Sequence, residues 1–171
     1  MESPLAVANY FILKSLESGQ PLTPMKLVKL VYIAHGWYLG LTGEPLISEG
    51  AQAWKYGPVI PTVYEQFKSY GGNAITQLAN TITPTGQIST YPLLEPTLND
   101  FLNKIWEVYH NFTAVELSDL THRENTPWFD VWHKEGGSEK FGAVIPNESI
   151  QWHYKQLADT NLQQASANTA L

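Results

Sequence analysis

Between Lys29 and Thr42 the chain carries no Asp, Glu, Lys or Arg, and Val31, Tyr32, Ile33, Ala34, Trp37, Tyr38 and Leu39 place apolar or aromatic groups on every side of a helix. Thr23-Pro24 opens this helix and Gly43 closes it. A helix apolar all round is a buried one. The apolar stretches break well before the ~20 residues of a bilayer span. The rest of the chain therefore has to be wrapped around residues 24–42. Gly36 and Gly40, one turn apart, predict that another helix crosses there at close range.

The wrapping is helical by the same grammar. Ser3-Pro4 starts a helix that ends at Gly19, with Leu5, Ala8, Ile12 and Leu16 as its core stripe, Phe11 beside them, and Asn9 as a buried amide that must be satisfied. Thr62 and Glu65 have capping-box spacing before Val63, Phe67 and Tyr70. Thr97 and Asp100 introduce an amphipathic helix with Leu98, Phe101, Leu102, Ile105 and Tyr109 on one face. Thr113 and Glu116 form a further capping box, Thr126-Pro127 begins a short helix carrying Trp128, Phe129 and Trp132, and Asn147 caps a last helix with Ile150, Tyr154 and Leu157 inward. The stretch from Asn73 to Leu94 has no helical period. The expected fold is mainly α: a single compact helical domain over residues 1–160 around the buried central helix. At most a small β element accompanies it, near residues 50–56 or 80–92, and a flexible tail occupies 161–171.

Composition excludes several kinds of function. With 171 residues the chain is one domain, and with no Cys it has no disulfide, thiolate metal site or thiol nucleophile. Absence of Cys and of a signal peptide suits a cytoplasmic protein. Lys+Arg 10 against Asp+Glu 16 gives a net charge of −6, which opposes a nucleic-acid face. Lys14, Lys26 and Lys29 are the one basic grouping near the start and read as solvated helix surface. The five His residues fall in no metal-binding spacing, and no nucleophile elbow, phosphate loop or carboxylate pair is present, so no catalytic, cofactor or metal residue is assigned. His35, on the buried helix, reads as a hydrogen-bonded core histidine. Charged residues make up 15% where soluble domains average about 25%, while aromatics reach 12%. That balance suits either a surface partly covered by a partner or one whose polarity comes from Gln, Asn, Ser and Thr.

Three blocks in order, Leu27 to Leu39, Gly43-Glu44-Pro45-Leu46 and Ala53-Trp54-Lys55-Tyr56-Gly57-Pro58-Val59, resemble the Panacea domain family of SocA- and GepA-like phage-associated proteins. Leu117-Ser118-Asp119-Leu120-Thr121-His122, followed by Pro127-Trp128, is similar to that family's later block, and Ile145-Pro146 opens a similar final helix. The resemblance covers nearly all of residues 4–157. It implies a mostly helical, non-enzymatic antitoxin of a bacterial or phage toxin–antitoxin system, whose partner is a cognate toxin protein rather than nucleic acid or membrane. Neutralisation in the family is by direct contact; in at least one type the antitoxin is instead a proteolytic adaptor that delivers its toxin to a protease. Self-association is left open. The motif residues Trp54, Tyr56, Gly57, Pro58, His122, Pro127 and Trp128 form the candidate partner-binding set. An enzyme with a site around His122 and the Trp54–Pro58 turn is the alternative from a different class.

The two motif blocks are expected to meet. A His and a Trp are costly to bury without partners, so His122 should hydrogen-bond near the 53–58 turn with Trp54 or Trp128 packed on it. Such a clasp either holds the turn onto the helices or presents a toxin-facing surface, with Tyr56 and Trp128 as aromatic anchors.

Overall fold

Helix α2 (Pro24–Thr42) is the axis of the computed structural model, which describes residues 1–169. The Thr23 side chain caps its start by accepting from the Lys26 amide, and the Gly43 N–H closes it on the Leu39 carbonyl. Its buried residues run without a gap from Lys26 to Gly36. Around it pack α1 (Pro4–Ser18), α3 (Pro61–Phe67), α4 (Leu98–Tyr109), α5 (Ala114–His122) and α7 (Asn147–Thr169). A single turn, α6 (Pro127–Phe129), runs on as a π-helical turn through Lys134. The domain is mainly α, as the sequence predicts. No helix among the described residues is long and apolar enough to cross a membrane.

β structure forms at both of the places where the sequence predicts at most one small element. Strands β1 (Gln52–Trp54) and β2 (Gly57–Val59) make a tight antiparallel hairpin, and β5 (Ala143–Val144) pairs with the other edge of β1, giving the order β2-β1-β5. Strands β3 (Asn80–Ile82) and β4 (Ile88–Thr90) form a separate hairpin on the surface. The aperiodic stretch around that second hairpin is tied to α1 and the residues just before it by two buried polar side chains. Asn9 donates to the Ala79 carbonyl at 3.0 Å and accepts from the Ala79 amide at 2.8 Å, which is the satisfied amide expected of it. Glu2 is buried as well, its carboxylate accepting the Leu94 and Glu95 amides at 2.8 and 3.0 Å. Each removes donors or acceptors that an irregular segment would otherwise leave unpaired.

The local grammar holds in most places and fails in six. Leu157, expected to face inward on α7, is 39% exposed, although Ile150 and Tyr154 are buried as expected. Leu16 is 49% exposed because the stripe of α1 turns away from the core in its last turn. The Thr62–Glu65 box does not form: the helix starts one residue earlier at Pro61, the Thr62 amide donates to the Glu49 carboxylate, and Glu65 pairs with Lys68. Thr97 is already helical in its backbone angles and makes no side-chain cap, its hydroxyl turning to Glu95. Asn147 is the first residue of α7 and gives its side chain to His35 rather than to a cap. Lys26 and Lys29 are buried, not solvated. Their long stems lie in the core while each amine reaches a backbone carbonyl, His110 for Lys26 and Pro58 for Lys29. The Thr113–Glu116 box, by contrast, is complete on both sides. The backbone of α7 stays helical to Thr169, past the boundary at 161 from which the sequence suggests a flexible tail; residues 170 and 171 of that tail lie outside the described residues.

The crossing predicted at Gly36 and Gly40 is that of α7 over α2. A Cβ at Gly36 would fall 2.1 Å from the Tyr154 ring, and one at Gly40 would fall 2.8 Å from the backbone nitrogen of Lys155. Gly40→Ala gains about 1 kcal/mol of helix propensity but has to push two backbones apart. A net loss of about 2 kcal/mol is expected by urea denaturation. Gly72→Ala, with open space around it, serves as the neutral control. Equal stability of the two variants would mean that the helices do not cross this closely.

Candidate functional site

The two motif blocks meet at the β1–β2 hairpin. Three alternate carbonyls of the hairpin, those of Trp54, Tyr56 and Pro58, are each taken by a side-chain donor from a different helix. Trp128 Nε1 on α6 donates to Trp54 at 2.8 Å, Ser118 Oγ on α5 donates to Tyr56 at 2.9 Å, and Lys29 Nζ on α2 donates to Pro58 at 2.9 Å. Such bonds contribute on the order of 1 kcal/mol each, and more when broken one-sidedly in a buried site. The hairpin is thereby fixed from three directions.

Gly57 shows why the turn needs this residue. Its φ is +100°, and a Cβ would lie 2.6 Å from Lys29 Nζ. Only glycine supplies both the backbone angle and the room. Pro58 and Gly57 are buried, and the two turn residues Lys55 and Tyr56 project from the clasped hairpin, Tyr56 at 68% exposure with the Lys55 amine 5.4 Å from its ring centroid.

His122 takes part less directly than expected. Its Nδ1 bonds the Ser118 carbonyl of its own helix, one turn back, rather than the 53–58 turn. The reason is local: the Ser118 carbonyl, which also accepts the Thr121 hydroxyl at 3.0 Å, lies within reach of a side chain four residues on in the same helix. The packing half of the expectation holds, since the His122 ring stands edge-on to Trp128 with centroids 5.0 Å apart. His133 meets the same Trp128 ring at 5.7 Å, and Trp132 stacks on it at 5.6 Å. Trp128 is only 2% exposed, so it is a strut within the domain, while Pro127 is buried as the first residue of its turn. Trp54 is half-buried, donates to Gln52 at 2.9 Å, and packs edge-on to Tyr64 and tilted to Phe141.

Sequence reasoning missed Lys29 and Ser118 as members of the clasp. A signal for Lys29 was present: a lysine on a helix whose neighbours are all core residues is itself headed for the core. Burial lowers its pKa from 10.5 to about 7, with no carboxylate among the causes to hold the charge. At neutral pH a large share of this amine is thus uncharged. His35, equally buried, has its pKa lowered by desolvation, which its 3.1 Å contact with Asn147 partly opposes. Its Nδ1 and the Tyr32 hydroxyl have no hydrogen-bond partner among the described residues. No group of three or more His, Asp or Glu among the described residues is placed to hold a metal ion. The arrangement is one of donors holding a backbone turn in place, with an aromatic and a lysine displayed at its tip.

Comparison with known proteins bears on this region directly. A family described as Antitoxin SocA-like, Panacea domain, matches residues 27–129, a span that runs from α2 through the hairpin to α6 and so contains every side chain of the clasp. The chain is also similar to the protein named Antitoxin SocA of Caulobacter vibrioides, at 28% identity over 152 residues, covering 88% of this chain and 81% of that one. No solved structure gives a significant match.

Proposed function

The chain belongs to the SocA-like Panacea antitoxin family, and from that premise we propose that it binds a cognate toxin protein and holds it inactive in a stoichiometric complex. The observation that carries this reading is the clasp. Three helices use buried donors to fix one short turn, and what the turn displays is an exposed tyrosine and a lysine. Pre-ordering a recognition loop lowers the entropy lost on association and so favours tight binding. The chemistry at the site is that of recognition. The complex needs neither nucleic acid nor membrane, and a net charge of −6 disfavours the former.

The test is co-expression with the small protein encoded beside this chain's gene. Growth arrest by that protein alone, rescue by this chain, and co-purification of the two at a fixed ratio are the expected results. Rescue without a stable complex, accompanied by protease-dependent loss of the toxin, would replace neutralisation by delivery to a protease. Rescue in which one molecule of this chain inactivates many toxin molecules would return the enzyme reading.

A further inference from the structure

Beside the clasped hairpin lies a groove of about 440 Å³ between the start of α2, the hairpin and α3. Its apolar lining includes the buried Val28 and Val59 and the edge-to-face pair Trp54 and Tyr64, whose centroids are 5.0 Å apart. Its polar lining is of one sign. Lys29, Lys55 and Lys68 border it, and among the described residues no Asp or Glu does. Lys29 is buried with its amine on the Pro58 carbonyl and is in large part uncharged at neutral pH. The exposed positive groups at the cleft are therefore two of the chain's ten basic side chains, Lys55 and Lys68. Glu65, next along α3, answers Lys68 from outside the cleft. Lys55 has no carboxylate partner among the described residues and leans over the exposed Tyr56.

Building on the direct-binding reading above, we infer that this groove seats an apolar side chain of the partner toxin from a segment whose flanking residues are acidic, with their carboxylates on Lys55 and Lys68. Charge complementarity decides the class of occupant. An acidic segment is repelled by a surface of net charge −6 everywhere except at a local positive spot, so the lysines give orientation and on-rate while the Trp54–Tyr64 cleft gives the anchor its contact area. Nucleic acid fits poorly: two exposed lysines neutralise too few phosphates, and the cleft offers its interior to apolar groups. The clasp matters because Trp54, Lys55 and Tyr56 are carried by the same three-point-fixed turn. Their positions relative to α2 and α3 are therefore set before the partner arrives.

The experiment is calorimetric titration of the purified neighbouring-gene toxin into this chain at low and high salt. Wild-type affinity should fall roughly tenfold between 50 and 300 mM salt, as expected where exposed charges face each other. Lys55→Glu/Lys68→Glu should bind about 30-fold or more weakly and lose or invert that salt dependence. Trp152→Ala, on an exposed part of α7, should stay within about twofold. Thermal melts confirm that each variant is folded; should the double reversal unfold, Lys55→Gln/Lys68→Gln carries the same test with an expected loss of about tenfold. Retention of wild-type affinity by the lysine variants, or a wild-type affinity indifferent to salt, overturns the groove assignment while leaving direct binding intact. A wild-type chain that shows no binding at all overturns direct binding itself, and the groove assignment with it.

Discussion

Trp128→Ala is expected to lower the unfolding free energy by about 3–5 kcal/mol, the range for emptying a buried aromatic site. At 2% exposure the ring has nowhere to draw water from, and it is gripped by a stacked Trp132 and the edges of His122 and His133. The loss also strands the Trp54 carbonyl, which the indole N–H satisfies at 2.8 Å. Trp128→Phe separates these two contributions. It keeps most of the apolar volume and removes the donor, so a loss of about 1–3 kcal/mol is expected, from the unpaired carbonyl. Urea denaturation measures both. A drop of less than about 1.5 kcal/mol for the alanine variant would contradict the strut role, because a ring so enclosed leaves a cavity that the two short turns around it cannot close.

Stability should rise with pH from neutrality to about pH 9.5, by a few kcal/mol, and Lys29 should be the main cause. Its folded pKa is lowered by burial to about 7 against 10.5 for the free side chain. Below pH 7 both states are protonated and the folded state carries the full cost of a buried ammonium. Between the two values the unfolded chain binds more protons, so the unfolding free energy climbs by up to about 1.4 kcal/mol per pH unit. Above 10.5 both states are neutral and the gain is complete. The upper part of the window is masked by tyrosine. Burial raises the pKa of Tyr32, Tyr154, Tyr109 and Tyr10, so the unfolded chain loses those protons first and stability falls as pH passes 10. The buried His35 and the half-buried His153, both lowered by desolvation, act below pH 6.5, outside the window, while Lys26, whose pKa burial also lowers, adds a gain of the same sign below 10.5. Lys29→Met keeps the buried stem and removes the titration. The expected result is a melting temperature that climbs distinctly less between pH 7 and 9.5 than in wild type, the remainder belonging to Lys26; a climb of equal size in the variant would clear Lys29.

How far the site could be read from the chain differs from residue to residue. The two motif blocks, and the fact that they must meet, follow from polar aromatic and histidine groups in segments that cannot leave them unpaired. The identity of the donors does not follow. Ser118 and Lys29 stand 62 and 29 positions from the carbonyls they bind, and nothing local marks a serine or a lysine as the donor for a turn that distant in sequence. His122 shows the converse: a carbonyl four residues back on its own helix wins over a distant turn. Glu2, buried against the Leu94 and Glu95 amides, carries no sequence signal at all, since an N-terminal glutamate is ordinarily solvent-exposed.

The sequence by itself determined the helical class, the central position of α2, most helix ends and the close crossing at Gly36 and Gly40. Each rests on short-range physics: periodicity over a few turns, a cap within three residues, or a side chain too small to keep a neighbour away. Family membership was likewise legible, because it lies in ordered blocks along the chain. Only the tertiary structure decided that Lys26 faces inward, which carbonyl Lys29 takes, that Thr62 and Thr97 go without their caps, and that the hairpin is held at three carbonyls by three separate helices. Those outcomes turn on which backbone groups are left unpaired once the helices have packed, and that remainder exists only in the assembled fold.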